Sequence, residues 1–377
     1  MITDNRKTSP VPERRALEAY LRFSFPLCSE PFPGKKPVVF PELCFAPGRE
    51  RTKEEYLEEL SRIIADMLQE ERQRSDSAFL SSGVDSSLIA FGIKAKKTFS
   101  VAYEDSSFDE SALAEQAAER LGSEHHAVKI SASDYFGAVS EAMVCRGAPT
   151  GDASYIALFI AAREASKYTD HVCSGEGPDE LFCGYPCYSR YFEDPREDFW
   201  LSINTIMDIG EAPGLPPYGG DGFLRMNFFD LTEWMHGNII PNLPAAAKGA
   251  GIDIRTPYMR QDLRDFALSL PAGYKADRTM GKLLFREAAL PYVGEEIAFR
   301  EKKGFPVPVR AWMREEPWKT QILDALTGQT ARKLLSFAGS EAILRGFYIE
   351  NGESLWKQVW EMFALVKWYD AMCTENK

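Results

Sequence analysis

The sequence predicts an α/β fold, a parallel sheet with helices on both faces, followed by a mainly helical C-terminal region. Three observations predict it. From about residue 75 to 175, short apolar runs alternate with stretches whose apolar residues recur every three or four positions. Beyond about residue 200 the strand signals fade and helical patterns dominate. The composition, 45% hydrophobic and 27% charged over 377 residues, supplies an ordinary globular core.

The strands come first. SAFLS (77–81), TFSVAY (98–103), HHAVKI (125–130) and DHVCS (170–174) are short, apolar and bounded by polar residues, as buried strands are. Between them SLIAFGIKAKK, ESALAEQAAERLG and SYIALFIAAREASKY carry helical spacing, and Gly122 fits a helix C-terminal stop. Strand and helix in alternation imply parallel pairing, and parallel sheets bind ligands at the carboxyl ends of their strands. Further on, the Gly/Pro-rich GEAPGLPPYGGDG (210–222) breaks the pattern. DLRDFALSL, MGKLLFREAAL and LWKQVWEMFALVKWYDAM then read as helices. In the last of these, Leu355, Val359, Met362, Phe363 and Val366 mark a docked core helix. His125 and His126, at a strand start, read as structural.

Charge and composition exclude several classes. The formal net charge of −12, without a basic block beyond pairs such as Lys96–Lys97, argues against nucleic acid as partner. No apolar run approaches the roughly 20 residues that span a bilayer. The first residues, MITDNRKTSPVPERR, do not read as a secretory signal, so the expected location is cytoplasmic. Seven cysteines without a CxxC pair read as reduced thiols, and the four histidines lack zinc-ligand spacing.

Two loops carry the chemistry. Ser81-Ser82-Gly83-Val84-Asp85-Ser86-Ser87 sits between a strand and a helix. Small residues let backbone approach an anion there, and a helix N-terminus offers free N–H groups. Asp85 cannot bind phosphate directly but suits Mg²⁺ that bridges phosphate oxygens. A plain Ser/Gly turn with Asp85 as helix cap is the alternative. Neither a Walker A loop nor GxGxxG occurs. The second loop, Ser174-Gly175-Glu176-Gly177-Pro178-Asp179-Glu180-Leu181-Phe182-Cys183-Gly184-Tyr185, follows the fourth strand. Pro178 suits the first helical position, with Asp179 and Glu180 in the first turn. Three acids facing the first loop suggest a second metal ligand and a base. Lys282 and Arg286, one turn apart, either face a nucleotide or make surface salt bridges.

SSGVDSS resembles the S-G-G-x-D-S loop of pyrophosphatase-type (PP-loop) adenine nucleotide enzymes, which cleave ATP between the α and β phosphates. With SGEGPDELFCGY it resembles the paired signatures of asparagine synthetases. TFSVAYEDSSFDESALAEQAAERLGSEHH, APTGDASYIA, IDIRTPYM, FREKKGFPVPVRAWM and LWKQVWEMFALVKW follow in that family's order over about residues 75–370, and residues 14–48 resemble its connector. The organisation this implies is a connector-like segment at 1–50, a PP-loop ATP-binding domain at 51–205 and a helical part of the synthetase domain at 206–377.

The resemblance implies that a carboxylate attacks the α-phosphate of ATP, giving an acyl-adenylate and pyrophosphate, and that ammonia or an amine then displaces AMP. Ser81, Ser82, Gly83, Asp85, Ser86, Ser87 and Gly175 would bind ATP, with Val101 bordering the adenine. Asp85 and Asp179 would hold Mg²⁺. Glu176 would accept the proton of the attacking nitrogen, and Lys302 would stabilise charge on the transferring phosphate. Ring-closing β-lactam synthetases, which are relatives, tend to carry Tyr where Glu176 stands.

Three departures shape the expectation. The family's glutaminase part uses a cysteine as first residue. Here Ile2 follows Met1 and the first cysteine is Cys28, so no glutamine hydrolysis of that kind is expected. Before Arg255, where the family places paired charges, stand Ile239-Ile240-Pro241-Asn242-Leu243-Pro244-Ala245-Ala246-Ala247, apolar and broken by proline. After Pro257, Tyr258-Met259-Arg260 replaces Phe-Leu-Asp. Ser82 for glycine and Pro178 for a small residue look tolerable. The expectation is an ATP-dependent ligase that joins a small carboxylic acid to ammonia or an amine, with a separate glutaminase or partner subunit as one ammonia source. Aspartate is the default acid, and a less polar acid of specialised metabolism is the alternative. A non-catalytic partner subunit is the reading from another class.

Overall fold

The computed structural model describes residues 11–28, 31–33, 51–104, 109–195, 205–208, 221–301 and 306–375. Helix α1 (Arg14–Phe23) and α2 (Lys53–Arg72) precede β1 (Ser77–Phe79). There follow α3 (Val84–Ile93), β2 (Lys97–Ala102), α4 (Ser111–Leu121), β3 (Glu124–Lys129), α5 (Ala132–Arg146), α6 (Ala153–Ala165) and β4 (His171–Cys173). Short helices α7 (Pro178–Leu181) and α8 (Pro186–Tyr191) lead to α9 (Gly222–Phe229). A π-helical segment (Asp230–Ile239) joins α9 to α10 (Ile240–Ala250), and β5 (Asp253–Arg255) follows. Then come α11 (Gln261–Ser269), α12 (Ala272–Lys275), α13 (Leu283–Val293) and the remaining helices, ending in Trp356–Glu375.

The five strands form one sheet in the order β3-β2-β1-β4-β5, every neighbour parallel. The chain winds one way from β1 to β3 and then returns past β1 to β4. The crevice between the ends of β1 and β4 is therefore the switch point at which open parallel sheets bind ligands. Both signature loops start there.

Alternation along the strands explains the two helical layers, because successive side chains leave opposite faces. Ala78 and Cys173 join the apolar cluster with Leu60, Ile64, Leu88 and Phe285, from α2, α3 and α13. Their neighbours Phe79 and Val172 face the other cluster, built with Val139, Phe159, Ala246 and Trp360 from α5, α6, α10 and the C-terminal helix. The predicted docked helix is there: Val359, Met362, Phe363 and Val366 are buried. Gly122 ends α4 in the left-handed region at φ 75°, as its sequence position suggests.

Two elements differ from the sequence expectation. β5 escaped it, being three residues long with one buried side chain, Ile254. Pro244 does not break the chain: it lies inside α10, with Pro241 in the first turn. A proline removes one helical hydrogen bond, and packing offsets this. A Cβ on Gly249 would stand 2.1 Å from Phe159, so α10 lies directly on α6. Most of the Gly/Pro-rich stretch 210–222 lies outside the described residues.

Candidate active site

β1 delivers the first loop. Gly83 caps α3 in an extended conformation, and the serine hydroxyls tie the turn. Ser86 Oγ accepts the Ser81 amide at 3.0 Å and lies 2.8 Å from Ser81 Oγ, while the Gly83 amide donates to Ser81 Oγ at 3.2 Å. The turn thus holds the first N–H groups of α3, which a helix leaves unpaired, toward the cavity at the switch point. The second loop comes within backbone contact of it: a Cβ on Gly175 would lie 2.7 Å from Ser86 N and 2.8 Å from its Cα. Only glycine permits that approach.

Ser81, Ser82, Asp85, Ser86, Val101, Gly175, Glu176 and Asp179, expected from sequence, all line this cavity. Gly83 lies behind as the cap, and Ser87 is fully buried beneath the loop, outside the lining. Val101 stands beside Phe79, Phe99 and Tyr103, an apolar wall suited to a flat base. Glu176 is exposed to the cavity, its amide held by Ser174 Oγ at 3.3 Å. Ser82, which stands where the signature has glycine, donates to Glu110 at 2.6 Å.

The centre of the site is an ion cluster that sequence reasoning saw only in part. Lys282 Nζ lies 2.6 Å from Asp85 Oδ2 and 2.8 Å from Asp179 Oδ1, with its side chain 1% exposed. Its backbone is left-handed (φ 61°), and its stem crosses Gly184, where a Cβ would fall 2.1 Å from Lys282 Cε and from Asp179 Oδ1. Lys282 and Arg286 are therefore interior, which corrects the surface salt-bridge option. Arg286 gives Nε to the Gly281 carbonyl and its guanidinium to those of Ala298 and Arg300, so it braces the chain leading to residue 301. Burial lowers its pKa, with Asp85 and Asp179 opposing.

Glu180 departs from the expectation that three acids face the first loop. It is 1% exposed and turned away, accepting from the Tyr185 hydroxyl and from Trp234 Nε1 at 3.1 Å. Consecutive helical residues point about 100° apart, so Asp179 and Glu180 diverge. Burial raises the Glu180 pKa well above the usual carboxylate range, with Asp179 adding to it. Nearby Asp230, bonded by Tyr188, is pushed up by burial to about 7.

The altered Tyr258-Met259-Arg260 has tasks of its own. The Tyr258 hydroxyl, absent from phenylalanine, donates to the Asp85 carbonyl at 2.9 Å. Arg260 pairs with Glu70 at 2.7 Å and Asp262 at 2.8 Å. Lys302 lies outside the described residues, as does Lys303. Their described flanks reach the site: Arg300 donates to the Ser82 carbonyl at 3.2 Å, and Pro306 lines the cavity.

The donor set fits Mg²⁺ arriving with a nucleotide. Among the described residues no group of three or more His, Cys, Asp or Glu could hold a metal alone. Mg²⁺ delivered on phosphates needs only one or two carboxylates. Asp85 Oδ1 is buried and, among the described residues, has no hydrogen-bond partner, an oxygen left for a cation. Among the described residues no helix is long and apolar enough to cross a membrane.

Comparison with known proteins bears on the whole arrangement. A family model described as asparagine synthase matches residues 58–370. A Mycobacterium tuberculosis protein with the provisional name asparagine synthetase (glutamine-hydrolysing) is 25% identical, the match covering 83% of this chain and 57% of that protein. Asparagine synthetase (glutamine-hydrolysing) 1 of Bacillus subtilis is 27% identical over 66% of this chain and 50% of its own length. The bovine asparagine synthetase (glutamine-hydrolysing) is 26% identical over 72% and 48%. The chain spans about half the length of these curated relatives.

Proposed function

The chain belongs to the asparagine synthase family, and we propose that it is an ATP-dependent amide ligase forming AMP and pyrophosphate. The observation that carries the proposal is the meeting of the two loops at the switch point, with the Asp85 and Asp179 carboxylates on the Lys282 ammonium. In this reading the turn at Ser81, Ser82, Gly83, Ser86 and Ser87, together with Gly175, cradles the phosphates, and Val101 borders the adenine. A carboxylate oxygen of the acid attacks the α-phosphorus, the bond from that phosphorus to the α–β bridging oxygen breaks, and pyrophosphate leaves. The nitrogen of ammonia or an amine then attacks the acyl carbon, the bond to AMP breaks, and the surplus proton passes to Glu176, which is exposed in the cavity to receive it.

Asp85 and Asp179 would hold Mg²⁺, which when bound with ATP neutralises charge developing on the phosphates. Lys282 fixes both carboxylates and adds positive charge beside them. Lys302 supplies a cation for the transferring phosphate. Residues 51–205 form the ATP-binding part, 206–377 the helical part and 1–50 a connector. The enzyme works in the cytoplasm, taking ammonia free or from a separate glutaminase or partner subunit. The relatives' names point to asparagine as product, so aspartate is the first acid to test.

The test is pyrophosphate release with ATP, Mg²⁺, ammonium and a panel of carboxylic acids. Acid-dependent release is expected, and Asp85→Asn should abolish it with the fold intact. Undiminished release from that variant contradicts the assignment.

A further inference from the structure

Part of the cavity lining has no task in the ATP reading. Asp152 caps α6, which also contributes Ser154, Tyr155 and Leu158, while the π-helical segment and α10 contribute Ile239, Asn242 and Leu243. The polar groups of this wall are engaged with one another. Asp152 Oδ1 accepts the Ser154 amide at 3.0 Å and hydroxyl at 2.5 Å, and its Oδ2 accepts from Asn238 at 2.9 Å and Asn242 at 3.4 Å. A carboxylate has about four acceptor sites, so these bonds fill it. The Tyr155 hydroxyl donates to the Ala142 carbonyl at 2.7 Å.

A buried guanidinium stands behind the wall, and it too is spent. Arg146, 6% exposed and not among the lining residues, gives Nε to Asn242 Oδ1 at 2.7 Å and its terminal nitrogens to the carbonyls of Ala148, Pro149 and Gly237. Turning it toward a ligand would strip buried carbonyls of their donor, which is costly. Its bond to the Asn242 oxygen also fixes that amide with its nitrogen toward Asp152. What is left to meet a substrate here is hydrocarbon: Leu158, Ile239, Leu243 and the Tyr155 ring.

The charge of the cavity points the same way. Its described lining holds Asp85, Glu110, Asp152, Glu176 and Asp179 and no lysine, arginine or histidine. ATP brings its own cation for the carboxylates beside the phosphates, but nothing in the α6–α10 wall would pair a second substrate carboxylate. A charge buried without a partner is strongly disfavoured.

We infer that the acid activated here is a monocarboxylate with an apolar body, not aspartate or another dicarboxylate. This rests on the ligase reading above and names its substrate class. The α6–α10 wall is the specificity surface, and Asn242, Asn238 and Arg146 are positioning residues that keep its polar groups turned inward.

The experiment is ATP–pyrophosphate exchange by the full chain with acids matched in carbon count: aspartate against 2-aminobutyrate, glutamate against norvaline, and succinate against butyrate. At least one monocarboxylate should support exchange at 100-fold or more the rate of its dicarboxylate partner. Exchange led by aspartate or glutamate overturns the inference and leaves the ligase reading standing. Exchange with none of the acids, while Mg²⁺–ATP still binds, removes both. A cation introduced by Leu158→Lys should move the aspartate to 2-aminobutyrate ratio at least 10-fold toward aspartate, with Leu158→Gln as the uncharged control. An unmoved ratio in a Leu158→Lys protein that melts like the parent also overturns the inference. If that variant fails to fold, the matched acids decide alone.

Discussion

Replacing Lys282 with methionine keeps a side chain of similar length in the same left-handed conformation and removes only the ammonium. Two carboxylates, 12% and 14% exposed, are then left facing each other without the ion they hold at 2.6 and 2.8 Å. Removing one partner of a buried ion pair costs about 3–5 kcal/mol, because the remaining charge stays desolvated. With an unfolding entropy near ~2.1 cal/mol/K per residue, a loss of 4 kcal/mol lowers the melting temperature by about 5 °C. Mg²⁺ should raise the melting temperature of Lys282→Met more than that of the parent, since a cation can replace the ammonium. Thermal melts at pH 7.5 with and without Mg²⁺ read both effects. A loss under ~1 kcal/mol at pH 7.5, with no added response to Mg²⁺, would refute the central ion cluster.

Three further outcomes follow from the geometry. Gly175→Ala forces a methyl to within 2.7 Å of the Ser86 amide, and backbone cannot yield as a side-chain tip does. Mg²⁺–ATP affinity, read by titration calorimetry, should fall at least 10-fold while circular dichroism is unchanged, and unaltered affinity would separate the two loops. Glu176→Gln should slow amide formation more than pyrophosphate release, in single-turnover runs with labelled acid, and equal loss in both steps would end its role as base. Asp230 titrates near 7 when folded against 3.8 ordinarily. Between those values the folded state binds the extra proton, so stability from this group falls as pH rises. Asp230→Asn should remove that contribution, flattening the pH dependence of the unfolding free energy from urea titrations between pH 4 and 7 by up to about 1.4 kcal/mol per pH unit, and an unchanged slope contradicts the buried carboxyl.

The sheet was legible because its first four strands are local apolar runs between helices of clear period. β5 was not: Asp253–Arg255 has one buried side chain and, among the described strands, pairs only with β4. The two loops announce themselves because a phosphate cradle needs small residues, hydroxyls and an acid in close succession. Lys282 does not, since its partner Asp85 is 197 residues away. A signal was there in Gly184 and Gly281, neither of which tolerates a Cβ, but a glycine states that something approaches and not what. The proline-bearing stretch 239–247 reads as a break because local propensity sees the missing amide and not the face of α6 on which α10 lies. APTGDASYIA carries Asp152, but the bonds that tie Asp152 to Asn238 and Arg146 to Asn242 span 86 and 96 positions, so the network is not visible locally.

The most direct test of the chemistry is to follow oxygen. With the carboxylic acid labelled by ¹⁸O, attack on the α-phosphorus must leave one labelled oxygen in AMP after the amide forms, and the pyrophosphate must be unlabelled. Label in AMP is the predicted result. Label in inorganic phosphate, with ADP as the nucleotide product, would mean attack on the γ-phosphate and would contradict the account.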